Sequence, residues 1–266
     1  MKADFFTNID KGFSSIYDEY EKISREDIID ISRRNCIRNQ VNSFLKPNHK
    51  ILEINSGSGI DAVYFAQNGN SVLATDIASE SEKYILSKIK RLGLTNLQFQ
   101  KCSFTSLDSI KRDGFDLVFS NYGGLNCASD LVVVFNQFEG LLNPNGFVTL
   151  VIMPSIYPWE MATILKGNKN AFRRFKKNGV VANVGNQLVP TFYYSPKQVK
   201  IAMGDKFKHI NTQNIGTFYP SSHFGSLQKN KKLISKLVQF DLWMNSLPIM
   251  IKGVGDYFVI TFQKIN

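Results

Sequence analysis

Residues 50–66 read KILEINSGSGIDAVYFA, and the predicted architecture is built outward from this segment. The apolar run 51–54 has the length and the branched side chains of a buried strand. A small-residue turn follows at 55–59, where Gly57 and Gly59 let the backbone approach a ligand closely. Apolar residues then return at helical spacing. Strand, glycine turn and helix in this order predict the first half of a nucleotide-binding βαβ unit.

A second apolar run, residues 71–75, ends at Asp76. A carboxylate roughly 20 residues beyond the glycine turn can accept hydrogen bonds from both hydroxyls of a ribose. Two ligand classes fit this geometry. Residues 57–62, GSGIDA, also match the dinucleotide fingerprint G-x-G-x-x-A. The spacing alone therefore does not separate a nicotinamide dinucleotide from another cofactor that contains adenosine.

The chain resembles class I S-adenosylmethionine-dependent methyltransferases, and more narrowly the type that acts on small molecules. Glu53 lies where the family signature E/D-x-G-x-G-x-G has its acidic residue, and residues 120–126 read SNYGGLN. Residues 1–49 precede the first strand, whereas a dinucleotide-binding domain usually opens with it. Asn55 replaces the first glycine of the signature, and asparagine tolerates unusual backbone angles better than most residues.

This resemblance implies S-adenosyl-L-methionine as the cofactor and S-adenosyl-L-homocysteine as its product. An NAD(P)-dependent oxidoreductase and a non-catalytic module that binds a cofactor or RNA are the alternatives. The resemblance also implies the fold, an α/β, doubly wound (Rossmann-like) sheet of seven strands whose last strand is antiparallel. Beyond the first two strands, apolar runs predict further strands near 97–100, 114–121, 147–153, 207–214 and 256–263. We expect a helix at about 130–142 and a turn at 143–146 before the fifth strand.

Residues 1–47 predict an N-terminal helical lid, because apolar side chains fall at i, i+3, i+4 and i+7 along its first helix. The pattern Phe13-x-x-Ile16-x-x-x-Tyr20 resembles an element that precedes the core in many small-molecule methyltransferases. In those enzymes the tyrosine closes over the methionine end of the cofactor; an ordinary packing role for Tyr20 is the alternative. We expect residues 48–266 to form the methyltransferase core.

The resemblance places the cofactor against the N-terminal helix and the carboxyl ends of the first four strands. The residues expected to contact it are Tyr20, Glu53, Asn55, Gly57, Gly59, Asp76, Ile77, Cys102, Ser103, Phe104, Asn121 and Tyr122. Many family members hold the adenine amino group with an acidic residue after the third strand. Here Cys102, Ser103 and Phe104 occupy those positions, so backbone groups, a hydroxyl and a ring are the candidates. A plain exit from the strand is the alternative.

A cap insertion at about 154–192 breaks the βα rhythm, and in this fold it would sit over the substrate mouth. Its aromatic side chains suit a planar or hydrophobic acceptor. The predicted substrate contacts are Tyr157, Trp159 and Tyr193 in the cap, with Asn126 after the fourth strand. The alternative for each ring is that it packs the cap onto the sheet. The predicted reaction is methyl transfer to O, N or C of a small, aromatic or apolar metabolite.

Methyl transfer from an activated cofactor requires the protein to position the acceptor and, where needed, to remove a proton. Of the three histidines, His49 and His209 fall at positions that favour structural roles. His223 follows the sixth strand in a predicted loop that faces the pocket, and it is the candidate general base. A solvent-exposed histidine is the alternative. The histidines and cysteines form no zinc pattern, and we expect no metal.

The composition is that of a globular protein, with 43% hydrophobic and 20% charged residues among 266. No apolar run is long enough to predict a transmembrane helix, and three widely spaced cysteines give no disulfide framework. These features predict a cytoplasmic monomer or homodimer that acts on a small molecule. The net charge of +10 admits a nucleic-acid partner. Scattered lysines and the lack of a nucleic-acid-binding motif favour surface solubility instead.

Overall fold

The computed structural model describes residues 10–13, 15–110, 114–221 and 230–265. Within them a seven-stranded sheet has the strand order β3-β2-β1-β4-β5-β9-β8. The strands are β1 (Lys50–Ile54), β2 (Ser71–Asp76), β3 (Leu97–Lys101), β4 (Phe115–Ser120), β5 (Leu142–Ile152), β8 (Phe207–Ile215) and β9 (Tyr257–Lys264). The first five are parallel, and β9 inserts antiparallel between β5 and β8. The predicted doubly wound sheet with a reversed last strand is confirmed.

Helices cover both faces of this sheet. They are α1 (Tyr17–Glu26), α2 (Ile28–Asn42), α3 (Ile60–Gln67), α4 (Ser79–Leu92), α5 (Leu131–Phe135), α6 (Pro158–Ala162), α7 (Pro196–Met203) and α8 (Lys231–Ser246). Asp27 begins α2, because its carboxylate accepts hydrogen bonds from the backbone N–H groups of Ile29 and Asp30. Within the described part of the chain, no helix combines the length and the hydropathy needed to cross a bilayer.

Strand β1 is buried on both faces, which explains its continuous apolar sequence. Successive side chains point to opposite faces of a strand. Ile51 accordingly belongs to one core cluster, and Leu52 and Ile54 belong to the other. Glu53 is the one acidic residue of this strand and is only 2% exposed. The strand therefore holds a carboxylate inside the protein, directly before the glycine turn.

The predicted helix at 130–142 was wrong in its length. Helix α5 ends at Phe135, and β5 begins at Leu142. Three consecutive valines, residues 132–134, have low helix propensity because their branched side chains lose freedom in a helix. The predicted turn at 143–146 instead forms an irregularity inside β5, where the pairing with β4 shifts register.

The segment between β5 and α7 contains α6 and a separate two-stranded hairpin of β6 (Val180–Val184) and β7 (Gln187–Thr191). The hairpin turns at Gly185 and Asn186, both with positive φ, as expected of a two-residue hairpin loop.

Candidate cofactor site

A cavity of about 840 Å³, measured out to its open mouth, lies at the carboxyl ends of β1, β2 and β4. Ligands of open α/β sheets bind at this edge. Polar and apolar side chains line it: Phe13, Tyr17, Tyr20, Arg34, Glu53, Asn55, Ser56, Gly57, Ser58, Ile60, Asp61, Asp76, Ile77, Phe104, Asn121, Tyr122, Gly124 and Cys127. Nine of the twelve residues predicted to contact the cofactor are in this wall; Gly59, Cys102 and Ser103 are not.

The turn after β1 has three residues in the left-handed region: Asn55, Gly57 and Gly59. A Cβ at Gly59 would lie 2.5 Å from Cγ1 of Ile85, so both the backbone angle and the packing require glycine there. Asn55 has φ 57°, an angle that asparagine adopts more readily than most residues. The replacement of the usual first glycine therefore leaves the shape of the turn intact.

The side chain of Asn55 also packs against residues at the end of β4. Its side-chain amide donates a hydrogen bond to Ser120 Oγ at the end of β4, at 3.0 Å. A Cβ added to Gly124 would lie 2.6 Å from the Cβ of Asn55. The asparagine after β1 and the glycine after β4 thus occupy one volume jointly, and a larger residue at 124 would displace Asn55.

Asp76 ends β2 and connects it to the glycine turn. Its carboxylate accepts hydrogen bonds from the N–H groups of Gly57 and Ala78, each at 2.8 Å. Burial raises the pKa of Asp76, and these backbone hydrogen bonds limit the rise. Asp76 also lines the cavity, so its carboxylate is next to any ligand bound there.

Glu53 is the least satisfied polar group of the cavity wall. Among the described residues its Oε2 atom has no hydrogen-bond partner. Burial raises the pKa of Glu53 well above its ordinary value, and the negative charge of Asp61 adds to the rise. A buried acceptor without a donor is costly. The site is therefore suited to a ligand that brings a donor, above all a cationic one.

Asp61, on the first turn of α3, is surrounded by donors. Arg34 approaches it to 2.5 Å, Arg38 contacts its other oxygen at 2.6 Å, and the Asn121 amide donates to it at 2.8 Å. Burial alone would raise the pKa of Asp61, but the charges of Arg34 and Arg38 outweigh it and the pKa is lowered. This group joins α2, α3 and the end of β4 around the cavity.

Arg34 and Asp61 were not predicted from the sequence as site residues. One signal was present, because Asp30, Arg34 and Arg38 stand at i, i+4 and i+8 on α2 and so share one face. Arg34 pairs with Asp30 along the helix, and its guanidinium lies 4.2 Å from the centre of the Tyr122 ring. Tyr122 has a positive φ of 51° and donates its hydroxyl hydrogen bond to Asp30.

Helix α1 covers the cavity and is fastened to the glycine turn. Glu21 accepts hydrogen bonds from the Ser58 hydroxyl at 2.6 Å and from the Lys88 ammonium at 2.5 Å. Lys88 also donates to the carbonyl of Ser58 at 2.8 Å. Tyr17, buried on the same helix, hydrogen-bonds the Ser81 hydroxyl of α4. These contacts hold the N-terminal helix over residues that the sequence assigns to the cofactor.

The N-terminal segment also meets the hairpin. Ser15 Oγ donates to the carbonyl of Gly185 at 3.4 Å, and a Cβ at Gly12 would lie 2.7 Å from the carbonyl of Val184. Phe13, between these contacts, lines the cavity. Residues 10–13 and the hairpin turn are therefore neighbours at one side of the cavity.

None of the four predicted substrate contacts is part of the cavity wall. Asn126 is fully buried; its amide donates to the carbonyls of Met153 and Phe192 and accepts from the Met153 N–H. Tyr157 is buried and accepts a hydrogen bond from the backbone of Ser221, and Trp159 is half-buried on α6. Tyr193 lies beside Arg174, which also stacks on Tyr157.

The candidate base His223 lies outside the described residues. The other two histidines make local contacts far from the cavity wall. His49 accepts a hydrogen bond from the backbone of Lys46, and His209 is hydrogen-bonded to Thr212.

The fold and the cavity define a nucleotide-binding α/β protein with the strand order and reversed strand of class I methyltransferases. A family model described as a methyltransferase domain matches residues 45–193, more than half of the chain. The chain belongs to this family, and it is an S-adenosylmethionine-dependent methyltransferase. No curated protein shows significant sequence similarity to it.

Solved structures share the fold at low sequence identity. A methyltransferase from Methanosarcina mazei superposes with a TM-score of 0.59 at 18% identity, over 85% of this chain and 97% of that chain. The 1,6-didemethyltoxoflavin-N1-methyltransferase of Burkholderia thailandensis, solved with S-adenosylhomocysteine, has a TM-score of 0.56 and 18% identity, over 98% and 88%. The geranyl diphosphate C-methyltransferase of Streptomyces coelicolor gives 0.58 and 10%, over 89% and 76%.

Proposed function

We propose that this methyltransferase transfers a methyl group to an oxygen, nitrogen or carbon atom of a small, aromatic or apolar molecule. The observation that carries the proposal is the mixed lining of the cavity. Polar side chains such as Glu53, Asp76 and Asn121 line it together with rings such as Phe13 and Tyr17.

The polar lining residues fit the cofactor. Asp76, at the end of β2 and hydrogen-bonded to the glycine turn, would hold the ribose hydroxyls. Glu53, whose Oε2 lacks a donor among the described residues, would accept from the ammonium of the methionine part. Ile77 and Phe104 would contact the adenine, and Asn121, Tyr122 and Tyr20 the methionine end. The bound cofactor supplies an activated methyl group, and the protein orients the acceptor against it and excludes water.

The rings in the cavity lining support a small acceptor. The named substrates of two structural neighbours, a didemethyltoxoflavin and geranyl diphosphate, are both small organic molecules. Phe13 belongs to the cavity wall and to the segment that touches the hairpin, so residues 1–47 as a lid and 154–192 as a cap form part of this proposal. Tyr157, Trp159, Tyr193 and Asn126 remain predicted substrate contacts.

Removal of a proton from an oxygen or nitrogen acceptor would fall to His223, which remains a prediction. The proposal also includes a cytoplasmic monomer or homodimer that does not act on nucleic acid. All three cysteines are unpaired thiols, as is usual in a reducing compartment.

The test is calorimetric titration of the full chain with S-adenosylhomocysteine, followed by methylation assays on a panel of aromatic, terpenoid and nucleic-acid acceptors. We expect micromolar binding that Asp76→Ala weakens by at least tenfold, while Asp205→Ala, in an exposed turn, leaves it unchanged. Methylation of small acceptors alone would support the proposal. Methylation of RNA or DNA alone would overturn the acceptor class.

A further inference from the structure

One surface of the molecule combines positive charge with exposed apolar side chains. Residues 163–179, which we call the basic segment, read TILKGNKNAFRRFKKNG and contain six basic residues and no acidic one. They connect α6 to the hairpin. The cofactor cavity has no lining residue in this segment. The segment therefore has a chemical character that the methyltransferase site does not account for.

The apolar side chains of the basic segment face solvent. Leu165 is 88% exposed, Phe172 and Phe175 are each 48% exposed, and Ile164 is exposed as well. The rings of Phe172 and Phe175 lie 6.2 Å apart and form a pair. Single exposed hydrophobic residues are common on protein surfaces. Here four of them lie together with six basic residues in one short segment.

The basic segment is fixed to the body of the protein by Arg174, which is only 7% exposed. Its guanidinium pairs with Asp256 Oδ1 at 2.9 Å and Glu160 Oε2 at 2.7 Å. It also lies 4.6 Å above the ring of Tyr157. The segment thus has a buried attachment point, and the half-exposed Phe172 and Phe175 lie close to it in the sequence.

The remaining positive charge is available to a partner. Arg173 shares Glu160 with Arg174. In the part of the chain that the structure describes, no carboxylate forms an ion pair with the other four basic residues of the segment, Lys166, Lys169, Lys176 and Lys177. Four exposed lysines next to a phenylalanine pair present both a charged and an apolar contact surface.

We propose that the basic segment docks the enzyme on a membrane surface that contains anionic lipid. Lysines are attracted to the negative potential of such a surface, and leucine and phenylalanine side chains enter the boundary between headgroups and acyl chains. A nucleic acid would satisfy the lysines but would gain nothing from Leu165, an aliphatic side chain without a face for base stacking. Charge and apolar exposure together therefore favour lipid.

The expected strength of membrane binding can be derived from the number of lysines. A lysine near an anionic surface contributes about fivefold to the partition coefficient. The attraction should weaken with salt, because the Debye length falls from about 10 Å at 0.1 M to about 3 Å at 1 M. Four lysines and two or three apolar side chains predict reversible, peripheral binding.

The experiment is co-sedimentation of the full chain with vesicles of phosphatidylcholine alone or with one part in four of phosphatidylglycerol. Two double variants test the surface, Lys176→Glu/Lys177→Glu for charge and Leu165→Ser/Phe172→Ser for insertion. Helix α7 offers matched exposed controls, Lys197→Glu/Lys200→Glu and Ile201→Ser. Binding of S-adenosylhomocysteine reports that each variant is folded.

We expect the chain to bind the phosphatidylglycerol vesicles, to leave them at 1 M salt, and to lose on the order of tenfold or more in either segment variant. The α7 variants should bind like the wild type. Absence of vesicle binding, or segment variants that bind like the wild type, would overturn the proposal. Two results without vesicle binding would point to another partner and would also overturn the proposal. One is retention of the chain on RNA, and the other is a dimer that Leu165→Ser/Phe172→Ser abolishes.

Discussion

Arg34 Nη1 lies 2.5 Å from Asp61 Oδ2, and this buried ion pair joins α2 to the first turn of α3. Neither residue belongs to the glycine turn, yet both line the cofactor cavity. Through this pair, Arg34, which precedes the first strand in the sequence, becomes part of a cavity that is otherwise formed mainly by residues after that strand.

Replacing Arg34 by methionine should destabilise the protein by about 2–4 kcal/mol, because it leaves Asp61 and Asp30 with fewer partners in a buried region. The pKa of Asp61 is lowered in the folded state, so its pairing stabilises above the unfolded value, about 3.9, and is lost as pH falls. The deficit of the variant should therefore be largest near neutral pH and shrink in acid.

Urea unfolding from pH 3 to 8 measures this difference. The matched control is Lys83→Met, which removes an exposed ion pair with Glu80 and should change stability by at most about 0.5 kcal/mol. If Arg34→Met lowers the free energy of unfolding no more than Lys83→Met does, the buried ion pair contributes little to stability.

Gly124→Ala should destabilise the protein by about 1–3 kcal/mol, because the new Cβ would lie 2.6 Å from the Cβ of Asn55. Asn55→Gly alone should cost about 1 kcal/mol for the lost hydrogen bond to Ser120. In the double variant the added methyl group enters the vacated space. We expect a favourable coupling of about 1 kcal/mol in a urea double-mutant cycle; strictly additive effects would contradict the shared volume.

The sequence predicts the parts of this site that depend on neighbours in the chain. The buried run of β1, the left-handed positions of the glycine turn and the carboxylate at the end of β2 all follow from local residue types. Arg34 and Asp61 were not predicted, because their pairing joins positions 27 residues apart and depends on how α2 packs against α3. The one sequence feature that indicated a role for Arg34 was the spacing of charged residues along α2.

The aromatic residues of the cap illustrate the same limit. As aromatic residues, Tyr157 and Tyr193 are suited to contact a planar acceptor, but their residue type does not show what they contact in the folded chain. Both lie against Arg174, whose position depends on its pairing with Asp256, the residue before β9. Arg174 and Asp256 are 82 residues apart in the sequence, so their contact cannot be predicted from local sequence patterns.

Glu21→Ala should loosen α1 over the cavity, because Glu21 accepts from both Ser58 and Lys88. We expect S-adenosylhomocysteine to bind roughly tenfold more weakly, mainly through faster dissociation, as is expected when a cover opens more often. Stopped-flow displacement measures the rate. Glu19→Ala, an exposed position on the same helix, is the control. An unchanged dissociation rate in Glu21→Ala would mean that α1 does not limit release.

Glu53→Gln should have opposite effects on stability and on ligand binding. The pKa of Glu53 is raised in the folded state, so the folded protein keeps this proton to higher pH than the unfolded chain does. The carboxyl therefore lowers the free energy of unfolding as pH rises above the unfolded value, about 4.3. Glutamine removes that penalty, and the ligand-free variant should be more stable than the wild type at pH 7.5 but not at pH 4.

Binding should respond in the other direction, since Glu53 lines the cavity and its Oε2 atom has no donor among the described residues. A ligand ammonium that donates to this oxygen favours the ionised carboxylate, so affinity of the wild type for S-adenosylhomocysteine should rise as the pH is raised from 4 to 7.5. Glutamine keeps the shape but not the charge, and should bind at least tenfold more weakly with a flatter pH profile. Thermal melts and titrations across this range measure both effects. A variant that is stabilised yet binds with the affinity and pH dependence of the wild type would place the ammonium elsewhere.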